Sequence, residues 1–302
     1  MNRQFFISSF KKEIWEFNKI LFWVPLIVAI MMIVAPVIQL ILLKDYQVAN
    51  LFQFLEQVQQ VEDLEHFDKV VLGAITGLFV PFIMVAFLVQ CYYFITCLFD
   101  ERRDLSVYFW RSLPVSDAST VGVKLATGAL VIPGIFMLGA TLAAVAYLLF
   151  ALVACIVLSV GYDISLWHLW GNAELFSNLV SVWLSLLPYA LWLFPLYAWL
   201  MLVSMFAKKA PFLWAVIPLV AVLLIEAFVV EYFHLRGGFF REVLFDYFTF
   251  TDHLMPHGVA HSESSKQVLA TTLFTKVEFG GTLLGGTLIY LTYWLRTNKS
   301  QP

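Results

Sequence analysis

Long apolar runs separated by short polar stretches organise this chain. A helix needs about 20 apolar residues to cross a bilayer. Six runs meet that length: roughly 20–43, 72–98, 125–159, 179–206, 212–233 and 275–295. Each is continuous rather than alternating, which predicts helices and not the ~10-residue alternation of barrel strands. The third run exceeds one crossing, which predicts a tilted helix or one whose end projects from the membrane. Ahead of the first run, Phe6, Phe10, Ile14, Phe17 and Leu21 recur at three- and four-residue spacing, with Lys11, Lys12 and Lys19 largely off that stripe. Residues 1–19 are therefore expected to form an amphipathic helix in the headgroup plane, the alternative being a helical extension of the first span. The expected fold class is an all-α integral membrane protein: six transmembrane helices in a single domain over 1–302, an N-terminal amphipathic interfacial helix, and a short cytoplasmic helix between spans two and three.

Composition agrees with that pattern. Hydrophobic residues make up 61% of the 302 positions and charged residues only 13%. A soluble domain has roughly 45–50% and about 25%, so for much of this chain the solvent must be lipid. The formal net charge is −3. No basic run or basic–aromatic interleaving suggests a nucleic-acid surface. Cys91, Cys97 and Cys155 all lie inside apolar runs. An odd number in such places is neither a disulfide framework nor a zinc site, and they read as small apolar residues.

Lysine and arginine set the orientation. With the N-terminus inside, the inner segments hold Arg3, Lys11, Lys12, Lys19, Arg102, Arg103, Arg111, Lys124, Lys208, Lys209, Arg296 and Lys299. The outer segments, which are longer, hold Lys44, Lys69, Arg236, Arg241, Lys266 and Lys276. The positive-inside bias puts both termini and the segment 100–124 in the cytoplasm. Trp23, Trp214 and Trp294 then fall near the inner interface, and Trp167, Trp170 and Trp183 near the outer one. No small-x-small cleavage site follows the first apolar run, so the chain reads as uncleaved.

Several chemistries have no motif here. The sequence holds no G-x-x-x-x-G-K-[ST], no H-E-x-x-H and no G-x-S-x-G, so a P-loop, a zinc-protease helix and a hydrolase elbow are not expected. His253, His257 and His261 are spaced by four beside Asp252. On a helix they could bind zinc or copper through imidazole. Pro256 and Gly258 disfavour a helix there, and a solvated outer loop is the better reading. Glu226 stands alone as an acid well inside a span, in VLLIEAFVV. About 15 residues, so ~22 Å, separate it from the inner end of its helix. It is either a functional intramembrane site or a hydrogen-bonding group that holds the bundle together. Pro25, Pro36, Pro81, Pro133, Pro188, Pro195 and Pro218 recur in the spans, and each can kink its helix.

One stretch departs from the rest. Seven of the eighteen residues from Asp100 to Asp117 are charged, with both signs mixed. Asp100, Glu101, Arg102, Arg103 and Asp104 would each cost roughly 2.5–3.5 kcal/mol in hydrocarbon, so span two must end near Leu98. Leu98, Leu105, Phe109 and Leu113 approximate one helical face. Pro114 ends that helix, and Ser116 or Asp117 can cap the next, which runs through Lys124 into span three. A near-neutral surface with exposed aromatics suits docking to another protein, and a plain solvated connector is the alternative.

The pattern D-E-R-R-D-x-S-x-x-F-W-R-S-L-P-V-S, followed by a helix with a lysine at its base, resembles the permease subunits of type-2 ABC exporters. The match rests on Asp100, Glu101, Arg102, Ser106, Leu113, Pro114, Val115, Ser116 and Lys124. Leu105 stands where that family usually has glycine. The resemblance implies a permease without catalysis of its own in a bacterial inner membrane, paired with a separate cytoplasmic ATPase that carries the ATP and Mg. It also implies a second permease copy, homodimeric or heterodimeric, to complete the path. In that reading the segment from Asp100 to Leu113 couples to the ATPase. Asp100, Glu101, Arg102, Arg103, Asp104 and Arg111 would supply charge, Leu105, Phe109 and Trp110 buried area, and Leu113–Pro114 the corner. A non-transporting scaffold or sensor, and a membrane enzyme using Glu226 or the three histidines, are the other expectations.

Overall fold

The computed structural model describes residues 3–59, 64–104, 116–162, 164, 167, 175–234, 238–248 and 276–299. Among them every regular element is a helix. Four helices are long and apolar enough to cross a membrane, and a bent pair makes a fifth candidate. This is the build of a helical membrane protein.

Helix α1 (Arg3–Glu16) turns at Phe17 into α2 (Asn18–Ile41), which covers the first predicted run. Helix α3 (Asp45–Gln59) was not expected from the apolar pattern. It carries Gln, Asn and acidic residues among its apolar ones, too polar to register as a span. Helix α4 (Leu64–Thr96) contains most of the second run and starts well before it, because the more polar residues of its first turns continue the helix. A turn at Cys97–Leu98 then leads into the short α5 (Phe99–Arg103).

Helix α6 (Asp117–Ala126), a five-residue π turn (Thr127–Val131) and α7 (Ile132–Gly161) form one continuous rod into the third run. Ser116 caps it as expected, its hydroxyl accepting from the Ser119 N–H at 3.2 Å. The fourth run is where the pattern misleads. Instead of one helix it forms α8 (Leu175–Leu184), α9 (Leu186–Trp192) and α10 (Phe194–Phe206), with a 53° bend at Leu193. Pro188 and Pro195 lie on either side of that break, and each removes a backbone donor. Helix α11 (Pro211–Tyr232) matches the fifth run, and α12 (Phe239–Phe248) follows it. Helix α13 (Phe279–Lys299) contains most of the sixth.

The core lies between α4, α7 and α10. Phe79, Phe82, Ala86, Tyr93 and Phe94 of α4 are buried against Phe136, Met137, Ala140 and Ala143 of α7 and Tyr197, Met201 and Val203 of α10. Spacings of three and four residues put Phe79, Phe82 and Ala86 on one face of α4 and Phe136, Ala140 and Ala143 on one face of α7, whereas α10 is buried nearly all round. α13 packs along α10, and α2 along α7. The opposite faces stay apolar and uncovered: Leu138, Leu142, Leu149 and Val153 on α7, and nearly all of α11, where only Ala215 is buried. Water would penalise such faces, whereas lipid tails are their natural solvent.

The later part of the N-terminal stripe faces the bundle. Leu21 is buried, and Ile14 and Phe17 pack on the core, while Trp15 and Ile7 point outward.

Candidate functional site

Where α1, α5, α6 and α13 meet, charged side chains from all four helices form one network. Glu101 in α5 and Lys124 in α6 are each almost fully buried. Lys124 Nζ donates to Glu13 Oε1 at 3.0 Å and lies 3.1 Å from Glu101 Oε1. Arg296, 2% exposed near the end of α13, bridges Glu101 Oε2 through Nη1 at 3.1 Å and Asp117 Oδ1 through Nε at 2.8 Å. Lys12 Nζ reaches Glu101 Oε1 at 3.2 Å from the half-buried edge. Tyr93 OH donates to Glu13 Oε2 at 2.9 Å. Lys12, Lys124 and Arg296 thus oppose Glu13, Glu101 and Asp117, with Glu16 beside Lys12 at the exposed edge. Isolated charges could not be buried this deeply, and mutual pairing within hydrogen-bond range offsets the desolvation cost.

A second clasp joins α5 to α10. The turn at Cys97–Leu98 frees backbone donors, and the Ser204 hydroxyl accepts from Leu98 N at 3.1 Å and Phe99 N at 2.9 Å. In return Arg102 Nη2 donates to Ser204 O at 2.8 Å and Ala207 O at 2.7 Å, satisfying carbonyls at the C-terminal end of α10. The charged segment therefore has two sides. Glu101 and Arg102 turn inward and hold other helices. Asp100, Arg103 and Asp104 point outward, with Arg103 pairing Asp100 at 3.1 Å and Asp104 at 2.9 Å. Leu105, Phe109, Trp110, Arg111, Leu113 and Pro114 lie outside the described residues.

Glu226 is an acceptor for another helix. Its two carboxylate oxygens take the backbone N–H groups of Phe240 and Arg241, the second at 2.8 Å, and so cap the N-terminus of α12. Gly238 permits this approach, since a Cβ there would stand 3.2 Å from the Glu226 carboxyl carbon. The far end of α12 returns to the bend at Leu193, with Tyr247 OH hydrogen-bonded to Trp192 O and the two rings 5.7 Å apart. His253, His257 and His261 lie outside the described residues, and no His, Cys, Asp or Glu group among the described residues has the arrangement to hold a metal.

Sequence reasoning singled out Glu101 and Lys124, and the fold brings them together. It missed Glu13 and Arg296 as their partners, and Ser204 as the partner of Leu98, Phe99 and Arg102. A signal for Glu13 was present: it lies three residues after Phe10 and four before Phe17, on the apolar stripe itself. An acid on a stripe that packs inward needs a buried cation. Compared with protein-family models, curated proteins and solved structures, the chain matches none.

Proposed function

We propose that this chain is the membrane-spanning permease subunit of an ABC transporter, an exporter, working as a pair of six-span copies with a separate cytoplasmic ATPase that binds ATP and Mg. In this reading α2, α4, the α6–α7 rod, the bent α8–α10 unit, α11 and α13 are the six spans. Both termini and the segment 100–124 face the cytoplasm of a bacterial inner membrane, and α1 lies along the inner interface.

One observation carries the reading. The charged residues on which the resemblance to type-2 ABC permeases rests, Glu101, Arg102 and Lys124, tie four helices and the end of α10 into one block. A force applied by an ATPase to the segment after Asp104 would reach α6 and α13 through Glu101, α10 through Arg102, and α1 through Lys124. Asp100, Arg103 and Asp104 remain on the outer side to meet the partner, where rim charges govern partner choice more than affinity.

The test is co-purification followed by transport. The full chain, solubilised with its ATPase, should hydrolyse ATP only as the complex, and inverted vesicles holding both should show ATP-dependent uptake. Reversing the outer charges with Arg103→Glu and Asp104→Lys should reduce co-purification while insertion and unfolding stay unchanged. Undiminished association would remove the coupling assignment. Association without ATP-dependent uptake would favour a scaffold or sensor.

A further inference from the structure

One helical turn beyond the ionic cluster, within the apolar runs, Gln90, Thr127, Gly128, Tyr189 and Tyr197 form a polar knot. It begins with a backbone defect. In the π turn the Ile132 N–H reaches back five residues to Thr127 O. Gly128 O thereby loses its four-residue partner, and its five-residue partner would be Pro133, which has no N–H. Gln90 Nε2 fills the place, donating to Gly128 O at 2.9 Å. Tyr189 OH in turn donates to Gln90 Oε1 at 3.0 Å. Phe94 seals the knot: its ring stacks on Tyr197 at 4.5 Å and occupies the space a side chain at Gly128 would need.

Two hydroxyls of this knot are unanswered. Tyr197 OH and Thr127 Oγ1 have no hydrogen-bond partner among the described residues, although both side chains are essentially fully buried. Tyr197 lies beside Tyr189 and Gln90 without meeting hydrogen-bond geometry with either. Capacity to answer it exists, since Gln90 has a second N–H and a second acceptor lone pair, and each tyrosine hydroxyl both donates and accepts. Polar groups buried in apolar surroundings are answered either by protein or by ordered water that makes two to four such bonds.

We propose that this knot is a binding site for ordered water, which bridges Tyr197 OH to the Tyr189–Gln90 pair and satisfies Thr127. The donor set selects water over a cation. Every oxygen here is neutral, and the nearby carboxylates of Glu13 and Glu101 are already held by Lys124 and Arg296. The site joins two irregular helices, the π turn and the bent α9–α10 pair. Water at such a junction lets Gln90 exchange partners without leaving a bare carbonyl in hydrocarbon.

Radiolytic hydroxyl-radical footprinting of the full chain in lipid nanodiscs tests this, because the radicals form from water in place. After correction for intrinsic side-chain reactivity, Tyr197 should be oxidised severalfold more than Phe82 and Phe136, which are equally buried among apolar side chains. Tyr197→Phe should lower Tm, since the water loses a partner. A dry, unpaired hydroxyl would give the opposite sign, because deleting it relieves a desolvation cost. Oxidation of Tyr197 no greater than that of Phe82, or a rise in Tm on Tyr197→Phe, overturns the proposal. If the variant does not insert, the footprint of the unmodified chain decides alone.

Discussion

Lys124→Met is the most informative single change. Methionine keeps the length and apolar stem of lysine and deletes only the charge. Lys124 Nζ sits 3.0 Å from Glu13 and 3.1 Å from Glu101, and all three side chains are almost fully buried. Removing one partner of such a pair costs about 3–5 kcal/mol, because an uncompensated charge is left behind. Two features place this case at the lower end, at ~3 kcal/mol. Glu101 keeps Arg296 at 3.1 Å and Lys12 at 3.2 Å, and Glu13 keeps the Tyr93 hydroxyl at 2.9 Å. Glu101→Gln removes the opposing charge with the same shape. If the two interact directly, the double variant should lose less than the sum of the singles by roughly 1–3 kcal/mol. Unfolding of the purified full chain in mixed micelles, followed by tryptophan fluorescence, measures all four corners of the cycle. Arg103→Met is the control: its pairs with Asp100 and Asp104 are exposed, and it should not move the transition. Additivity within about 0.5 kcal/mol, or a Lys124→Met shift no larger than that of Arg103→Met, would refute the claim that the cluster binds these helices together.

Three further outcomes follow from single contacts. Glu226→Leu should remove the cap of α12 at a cost of about 1 kcal/mol, and hydrogen exchange should quicken at Phe240 and Arg241 while the core of α4 and α7 stays protected. Gly128→Ala would put a Cβ 2.2 Å from the Phe94 ring; it should destabilise by roughly 1–3 kcal/mol in the micelle assay, and Phe94→Leu in the same chain should recover most of that. Arg102→Met strips two carbonyls at the end of α10 of their donor, at about 1.5–3 kcal/mol for bonds to a charged group; exchange should rise at Leu98 and Phe99, whose Ser204 acceptor is then loosened.

Much of the helical layout was legible because lipid enforces it. Continuous apolar runs located α2 and α11 to within the usual fraying of helix ends, whereas α4 and the α6–α7 rod both begin well before their runs. Periodicity failed where the backbone, and not the side-chain pattern, decides. Residues 179–206 are apolar throughout, so nothing in their hydropathy distinguishes one rod from a pair bent by 53°. The two prolines that flank Leu193 were noted only as possible kinks. Helix α3 and helix α12 escaped for the opposite reason: both are short and mixed in polarity, and α12 is held at its N-terminus by a tertiary contact, the Glu226 cap. The π turn left no pattern at all, since it follows from where Gly128 and Pro133 fall against Gln90 and Phe94.

The ionic cluster was half visible, and the missing half changes what the charged stretch means. As a run, Asp100–Asp104 reads as wet surface with docking potential, because its signs are mixed and its net charge is small. On a helix, however, neighbouring residues are rotated by about 100°, so five charges in a row cannot all share one side. Glu101 and Arg102 are carried inward to Lys124, Arg296 and the end of α10, and Asp100, Arg103 and Asp104 outward. The mixture of signs is therefore two patterns superposed: an inner one matched to fixed partners in the same chain, and an outer one whose charges pair with each other. A single docking face would need its charges on one side. A segment that transmits force needs both sides, one gripping the bundle and one open to whatever drives it, and Asp100–Asp104 has that division within five residues.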